Sequence, residues 1–254
     1  VRRGFRESPA VACQEVAKGS RVFLTEHSGP RQLMHSGRRL FRFMDSIYLD
    51  RPSEKLDRES IQILNEVRRP LLDRSEVAGV NARVRQALAA GAQAVAARSV
   101  LEWGCGYHPM HELLGDVDYA AVDIDPGVVA HARGLGIGPV HLADRDLGDI
   151  APADVIVSPF VFHFRIPRRH IATMRRVVGP AGFVLANVYR RSPRARRELE
   201  NAFRDAGLLL ERRRDPAQLC VEHEFWCLYA PDRAGTNQAR AREALEAVTA
   251  ATDL

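Results

Sequence analysis

Lysine is almost missing from this chain. Lys18 and Lys55 are the only two in 254 residues, although Lys and Arg together number 37. The net charge of +5 is therefore carried by arginine, a planar cation suited to carboxylates and phosphates. A GC-rich coding sequence would supply the same arginine and alanine, so the charge alone names no partner. Cysteine is scarce as well. Cys13, Cys105, Cys220 and Cys227 form no Cys-x-x-Cys pair and no zinc-finger spacing with histidine, which excludes a zinc ribbon or a dense disulfide framework. Reduced thiols and a cytoplasmic location are the expectation. No apolar run approaches the roughly 18 residues of a membrane span. The basic start Val1-Arg2-Arg3-Gly4-Phe5-Arg6 has no signal-peptide core behind it, and no internal repeat is visible. What is present is an ordinary 46% of hydrophobic residues, in a chain long enough for one large α/β domain or a domain plus a cap.

The organising stretch is Ser99-Val100-Leu101-Glu102-Trp103-Gly104-Cys105-Gly106-Tyr107-His108-Pro109, a short apolar strand running into a glycine turn. A second strand candidate, Tyr119 to Ile124, contains Asp123. Glycines let a backbone turn sharply and come close to a ligand. An acid at the end of the next strand can accept hydrogen bonds from ribose hydroxyls. The pair points to a nucleoside-containing cofactor at the carboxyl ends of a parallel sheet.

Apolar runs and helical segments alternate beyond this point. Strands are predicted at 100–102, 119–124, 140–142, 155–157, 183–188, 208–210 and 225–229, with helices at 126–134, 167–178 and 193–206. Such alternation implies parallel strands with crossover helices, the last two strands forming an antiparallel hairpin. An alanine-rich amphipathic helix is predicted over 77–97, and a polar start at Ser53 predicts another helix after it. The aromatic run Leu40 to Leu49 is read as a helix that packs as a cap or covers the site as a lid. Val22-Phe23-Leu24 is a short strand or a helix turn. The expected organisation is a helical N-terminal cap over residues 1–90, a main domain over 91–231 and a helical tail over 232–254.

The order Glu102-Trp103-Gly104-Cys105-Gly106-Tyr107-His108, followed by Val122-Asp123-Ile124-Asp125-Pro126, resembles the Rossmann-like, class I S-adenosylmethionine-dependent methyltransferases. Two of that family's three glycines match, and His108 stands where the third belongs. Aminoglycoside-resistance ribosomal RNA methyltransferases show a similar departure. Asp154 to Phe164 resembles the fourth-strand region of small-molecule methyltransferases, with His163 on its first histidine. Val177 to Leu185 resembles the segment leading into strand five.

The resemblance implies a mostly parallel Rossmann-like sheet with an antiparallel last strand. It implies S-adenosylmethionine as cofactor, with S-adenosylhomocysteine as product or bound ligand. Gly104, Gly106 and Asp123 would hold the nucleoside. Glu102 would support the loop or meet the methionine amino group. Asp144 or Asp146 would meet the adenine, and Ser158 would line the cofactor. His163 is the candidate general base or substrate contact. Asp45 and Asp50 are candidates to meet an amine-bearing substrate, with Tyr48, Tyr107, His108 and Phe160 as substrate contacts. The expected activity is methyl transfer to a small molecule, in bacterial natural-product or antibiotic biosynthesis. Three alternatives stand beside it: a non-methylating cyclase on the same fold forming an aziridine or azabicycle, a ribosomal RNA methyltransferase, and a non-catalytic binding subunit. Nucleic acid ranks behind a small molecule, no metal or membrane is expected, and the cap or tail would carry any homo- or hetero-oligomer contact.

Overall fold

The computed structural model describes residues 53–69, 77–145, 147–220 and 222–253, together with five strands nearer the N-terminus. Those strands are β1 (Cys13–Glu15), β2 (Val22–Thr25), β3 (Gln32–His35), β4 (Arg38–Phe43) and β5 (Ser46–Leu49). They form an antiparallel sheet in sequence order. This corrects the helix expected over Leu40 to Leu49; within the region expected to be a helical cap, the described residues before 50 are strands, and helices follow over 58–68 and from 77 onward. Phe41, Phe43, Ile47 and Tyr48 are residue types that suit a pleated surface, and short connections suit antiparallel neighbours. Val22-Phe23-Leu24 is a strand. Tyr48 lies on β5 opposite Phe41, whereas Asp45 and Asp50 lie outside the described residues.

The chain divides into two compact units, residues 1–52 with 56–79 and residues 53–55 with 80–254. The first also holds α1 (Arg58–Arg68), which begins where the Asp57 carboxylate accepts the Ser60 N–H at 2.8 Å. The expected start at Ser53 is a single 3-10 turn over Ser53–Lys55; the cap falls on Asp57 because its side chain can satisfy an unpaired first-turn N–H.

The second unit is built on β6 (Ser99–Trp103), β7 (Asp118–Asp123), β8 (Val140–Leu142), β9 (Val155–Ser158), β10 (Phe183–Val188), β11 (Leu209–Arg214) and β12 (Glu224–Tyr229). Their order across the sheet is β11-β12-β10-β9-β6-β7-β8. β12 is antiparallel to both neighbours, and the other paired strands are parallel. This is the mostly parallel, Rossmann-like sheet with an antiparallel last hairpin that the sequence predicts. The chain proceeds outward from β6 to β8 and returns on the other side of β6 as β9. The topological switch point, where ligands bind in open α/β sheets, is therefore between β6 and β9.

Both faces of the sheet are buried, which is why its strands read as continuous apolar runs. Val100, Val155, Val157, Phe183, Leu185, Phe225 and Cys227 pack in one layer, with α2 (Val77–Ala94), α3 (His111–Leu114), α4 (Pro126–Gly134) and α7 (Thr236–Thr252). Leu101, Trp103, Ile156, Val184, Ala186, Trp226 and Leu228 pack in the other, with α5 (Arg168–Val178) and α6 (Pro193–Asp205). Alternate residues of each strand thus enter opposite cores. The tail helix α7 belongs to this unit, its Ala244 and Val248 fully buried. A Cβ at Gly91 would fall 2.5 Å from Val248 Cγ2, so α7 approaches α2 this closely because residue 91 is glycine.

Candidate functional site

β6 ends in a turn whose two glycines are left-handed, Gly104 at φ +80° and Gly106 at φ +61°. A Cβ at Gly104 would fall 2.2 Å from Val161 Cγ2. The turn and the loop after β9 therefore touch directly, across the switch point. At Gly106 the nearest neighbour of a Cβ would be Arg85 Nη2 at 3.9 Å, so there the backbone conformation, not space, favours glycine. The Gly104 and Cys105 N–H groups donate to Val122 O at 2.7 and 3.3 Å, tying the turn to β7.

Asp123 closes β7 beside this turn. Its Oδ2 accepts the Gly106 N–H at 3.0 Å and its Oδ1 the Asp125 N–H at 2.9 Å. The residue is 6% exposed, and burial pushes its pKa up to about 6 against the pull of the main-chain donors. Asp125 caps α4 through the Gly127 N–H at 2.8 Å, so Asp123 is held at the ligand edge from both sides.

Glu102 is fully buried and engaged by three donors. Its Oε2 accepts from Met110 N at 2.7 Å and Tyr119 Oη at 2.5 Å, and its Oε1 accepts from Arg85 Nη1 at 2.9 Å. Burial pushes its pKa up, while the Arg85 charge and these bonds pull it back. Of the two roles expected for Glu102, these contacts serve the loop. Arg85 also donates to His108 O at 2.6 Å, which leaves its guanidinium next to the glycine turn. The sequence reading missed Arg85, since one arginine on an alanine-rich helix carries no local signal. The Tyr107 ring lies tilted against His131, with ring centroids 5.3 Å apart, and His108 is exposed. The Cys105 thiol is buried, and desolvation raises its pKa.

Beyond β8, Asp144 pairs with Arg169 and lies 3.8 Å from His170 Nε2. The His170 ring packs near Trp103, centroids 5.5 Å apart, and burial then the Arg169 charge bring its pKa down to about 4. Asp146 lies outside the described residues. The Ser158 hydroxyl donates to Trp103 O at 3.0 Å, so it links β9 to the end of β6.

The loop after β9 is clamped by β10 and the segment behind it. Phe160, a non-glycine residue at φ +57°, donates its N–H to Asn187 Oδ1 at 2.7 Å. Arg191 donates to Phe162 O at 2.9 Å, Phe164 O at 2.6 Å and Ala195 O at 2.9 Å. His163 is 4% exposed, its ring packed against Phe164 and Tyr189 at 3.9 and 4.6 Å. The Tyr189 hydroxyl lies 3.3 Å from His163 Nε2. Asn187, Tyr189 and Arg191 were missed by the sequence reading. The one available signal was polar residues at the carboxyl end of an otherwise apolar strand.

Of the eight arginines in the basic runs Arg190 to Arg197 and Arg212 to Arg214, four pair with carboxylates among the described residues. Arg194 pairs with Glu198, Arg196 with Glu224, Arg212 with Glu200 and Arg213 with Glu246. Among the described residues no helix is long and apolar enough to cross a membrane, and no metal-binding cluster of His, Cys, Asp or Glu forms.

No family model and no curated protein matches the chain. Solved structures of S-adenosylmethionine-dependent methyltransferases are similar in chain path. One is the 1,6-didemethyltoxoflavin-N1-methyltransferase of Burkholderia thailandensis, at 16% identity and a TM-score of 0.49, covering 78% of this chain and 98% of that one. A second is the N-methyltransferase NodS of Bradyrhizobium japonicum, at 18% identity and a TM-score of 0.46, covering 63% and 91%. A third is the CcbJ methyltransferase of Streptomyces caelestis, at 16% identity and a TM-score of 0.45, covering 59% and 90%.

Proposed function

We propose that this chain is an S-adenosylmethionine-dependent methyltransferase acting on a small molecule, in bacterial natural-product biosynthesis. The observation that carries the reading is Asp123 at the end of β7, its carboxylate 3.0 Å from the Gly106 N–H beside the switch point. The residues present suit the cofactor. An ionised carboxylate has about four acceptor positions, so Asp123 can take ribose hydroxyls in addition to its main-chain donors. The Arg85 guanidinium beside the turn suits the methionine carboxylate. Asp144, just beyond β8, is the carboxylate this reading assigns to the adenine amino group. The cofactor supplies a sulfonium-bound methyl group, and the protein contributes placement of that group against an acceptor. His163, in the loop after β9, and Tyr189, just past β10, with its hydroxyl 3.3 Å from His163 Nε2, supply the proton-accepting pair for an acceptor that carries a proton.

Four of the eight arginines in those runs are paired with carboxylates, which reduces the positive charge they offer to ribosomal RNA phosphates and favours a small molecule. The test is calorimetry with S-adenosylhomocysteine. Asp123→Ala should lose about 1–3 kcal/mol of binding, the range for a hydrogen bond to a charged group. Unchanged affinity in a folded variant would remove Asp123 from the site. A product of unchanged carbon count, formed equally well with S-adenosylhomocysteine, would establish the cyclase instead.

A further inference from the structure

We propose that Asp215, His223 and Asn187 form a one-way hydrogen-bond relay that sets the loop carrying His163, with His223 as its titratable positioning residue. The link to the acceptor rests on the methyl-transfer reading; the relay itself does not. Asp215 and His223 flank the connection between β11 and β12, and Asn187 is near the carboxyl end of β10. All three are 0% exposed. His223 Nδ1 lies 2.7 Å from Asp215 Oδ2, and His223 Nε2 lies 3.0 Å from Asn187 Nδ2. Asn187 Oδ1 then accepts the Phe160 N–H at 2.7 Å.

Both ends of this chain have a fixed polarity. A main-chain N–H can only donate, so Asn187 must turn its carbonyl oxygen to Phe160 and its NH2 to His223. His223 Nε2 must then accept, which places the single ring proton on Nδ1. Asp215 already accepts the Ala217 and Leu219 N–H groups at 3.1 and 2.7 Å, so it stands as the acceptor at the far end. The tautomer of His223 and the orientation of Asn187 follow from these two ends.

A second proton on His223 cannot be accommodated. Nε2–H would face the Asn187 NH2. Turning the amide over would satisfy the ring but present NH2 to the Phe160 N–H. One bond must break, and a buried unmatched donor costs more than an exposed one. Phe160 is the residue most sensitive to that loss, because its left-handed backbone is held by this bond. Tyr189, two residues beyond Asn187, carries the contact to His163, so the relay and the His163 pair share the end of β10. The charged groups facing His223 are Asp215 and Glu224, both favouring its protonation, while desolvation opposes it and prevails. Glu224 is itself paired with Arg196 at 2.6 Å, and Tyr189 and Phe225 contribute only ring faces and edges, at 6.4 and 4.8 Å.

The test is nitrogen-15 NMR of the full chain labelled in histidine, with amide exchange at Phe160. At pH 7.5 His223 should be neutral with its proton on Nδ1. On acidification its protonation and the loss of Phe160 protection should occur together. Asn187→Leu should speed Phe160 exchange at least about tenfold, as loss of one buried hydrogen bond requires. Asn187→Asp provides acceptors on both sides, so there His223 should be doubly protonated at pH 7.5 with Phe160 still protected. A merely structural role would not move the tautomer this way. An Nε2–H tautomer or a cationic His223 in the unsubstituted protein at pH 7.5 would overturn the relay. Unchanged Phe160 exchange in folded Asn187→Leu would overturn it too. If S-adenosylhomocysteine fails to bind, the methyl-transfer reading falls while these signatures remain readable.

Discussion

Arg85 Nη1 lies 2.9 Å from Glu102 Oε1, so the helix before the sheet grips the first strand at the edge where the ligand site forms. Glu102 is wholly buried and Arg85 only 15% exposed at its side chain. Removing the cation leaves a buried carboxylate without its counter-charge, which costs roughly 3–5 kcal/mol for a fully buried pair. Arg85→Ala should therefore lose about 2–4 kcal/mol of stability in urea unfolding. Adding Glu102→Gln should restore part of it, and strict additivity in that double-mutant cycle would show that the pair is not coupled.

On the proposed reading, Asp123 should make cofactor binding dependent on pH. Its pKa is raised from 3.8 to about 6 in the folded protein. Below that value it is protonated and a weaker acceptor, so S-adenosylhomocysteine affinity should fall as pH drops through about 6, approaching tenfold per unit where only the ionised form binds. Without ligand the sign is opposite. The native state holds the proton more tightly between 3.8 and about 6, so this residue's contribution to stability is lost as pH rises across that window. Calorimetry in buffers of different ionisation enthalpy at pH 5.5 should detect proton release on binding. A flat affinity from pH 5 to 8 would contradict the assignment.

His170 should make stability dependent on pH. Its pKa is lowered from 6.5 to about 4. Between those values the unfolded chain binds more protons, so stability should be full above 6.5 and decline as pH falls toward about 4. The loss from this residue is on the order of 2–3 kcal/mol. His170→Phe should flatten that part of the stability curve, and an unaltered slope in chemical unfolding would place the acid sensitivity elsewhere.

The two glycines of the turn should differ in their response to alanine. Both substitutions strain a left-handed backbone, at about 1–2 kcal/mol each. Only Gly104→Ala also drives a methyl group to within 2.2 Å of Val161 Cγ2. Its thermal unfolding temperature should therefore drop further than that of Gly106→Ala, and equal drops would mean that the β9 loop yields freely.

The sequence by itself determined the doubly covered sheet. Strands buried on both faces read as uninterrupted apolar runs, so β6, β7, β9, β10 and β12 were visible. Proline just inside α4 and α6 and glycine after α5 marked helix limits to within a residue or two. The glycine turn and Asp123 were also legible, because a left-handed turn and a strand-end acid leave a local trace. The antiparallel sheet before residue 50 was not, since Phe41, Met44 and Tyr48, three and four positions apart in the sequence, fit a helix face, and pairing between strands chose the ladder. Only the tertiary structure brought Arg85 to Glu102, across 17 residues, and Asn187 to His223, across 36. Neither pair has a spacing that sequence periodicity can register. Each exists because elements distant in the chain meet at the same edge of the sheet, where a buried polar group must find whichever partner the fold delivers.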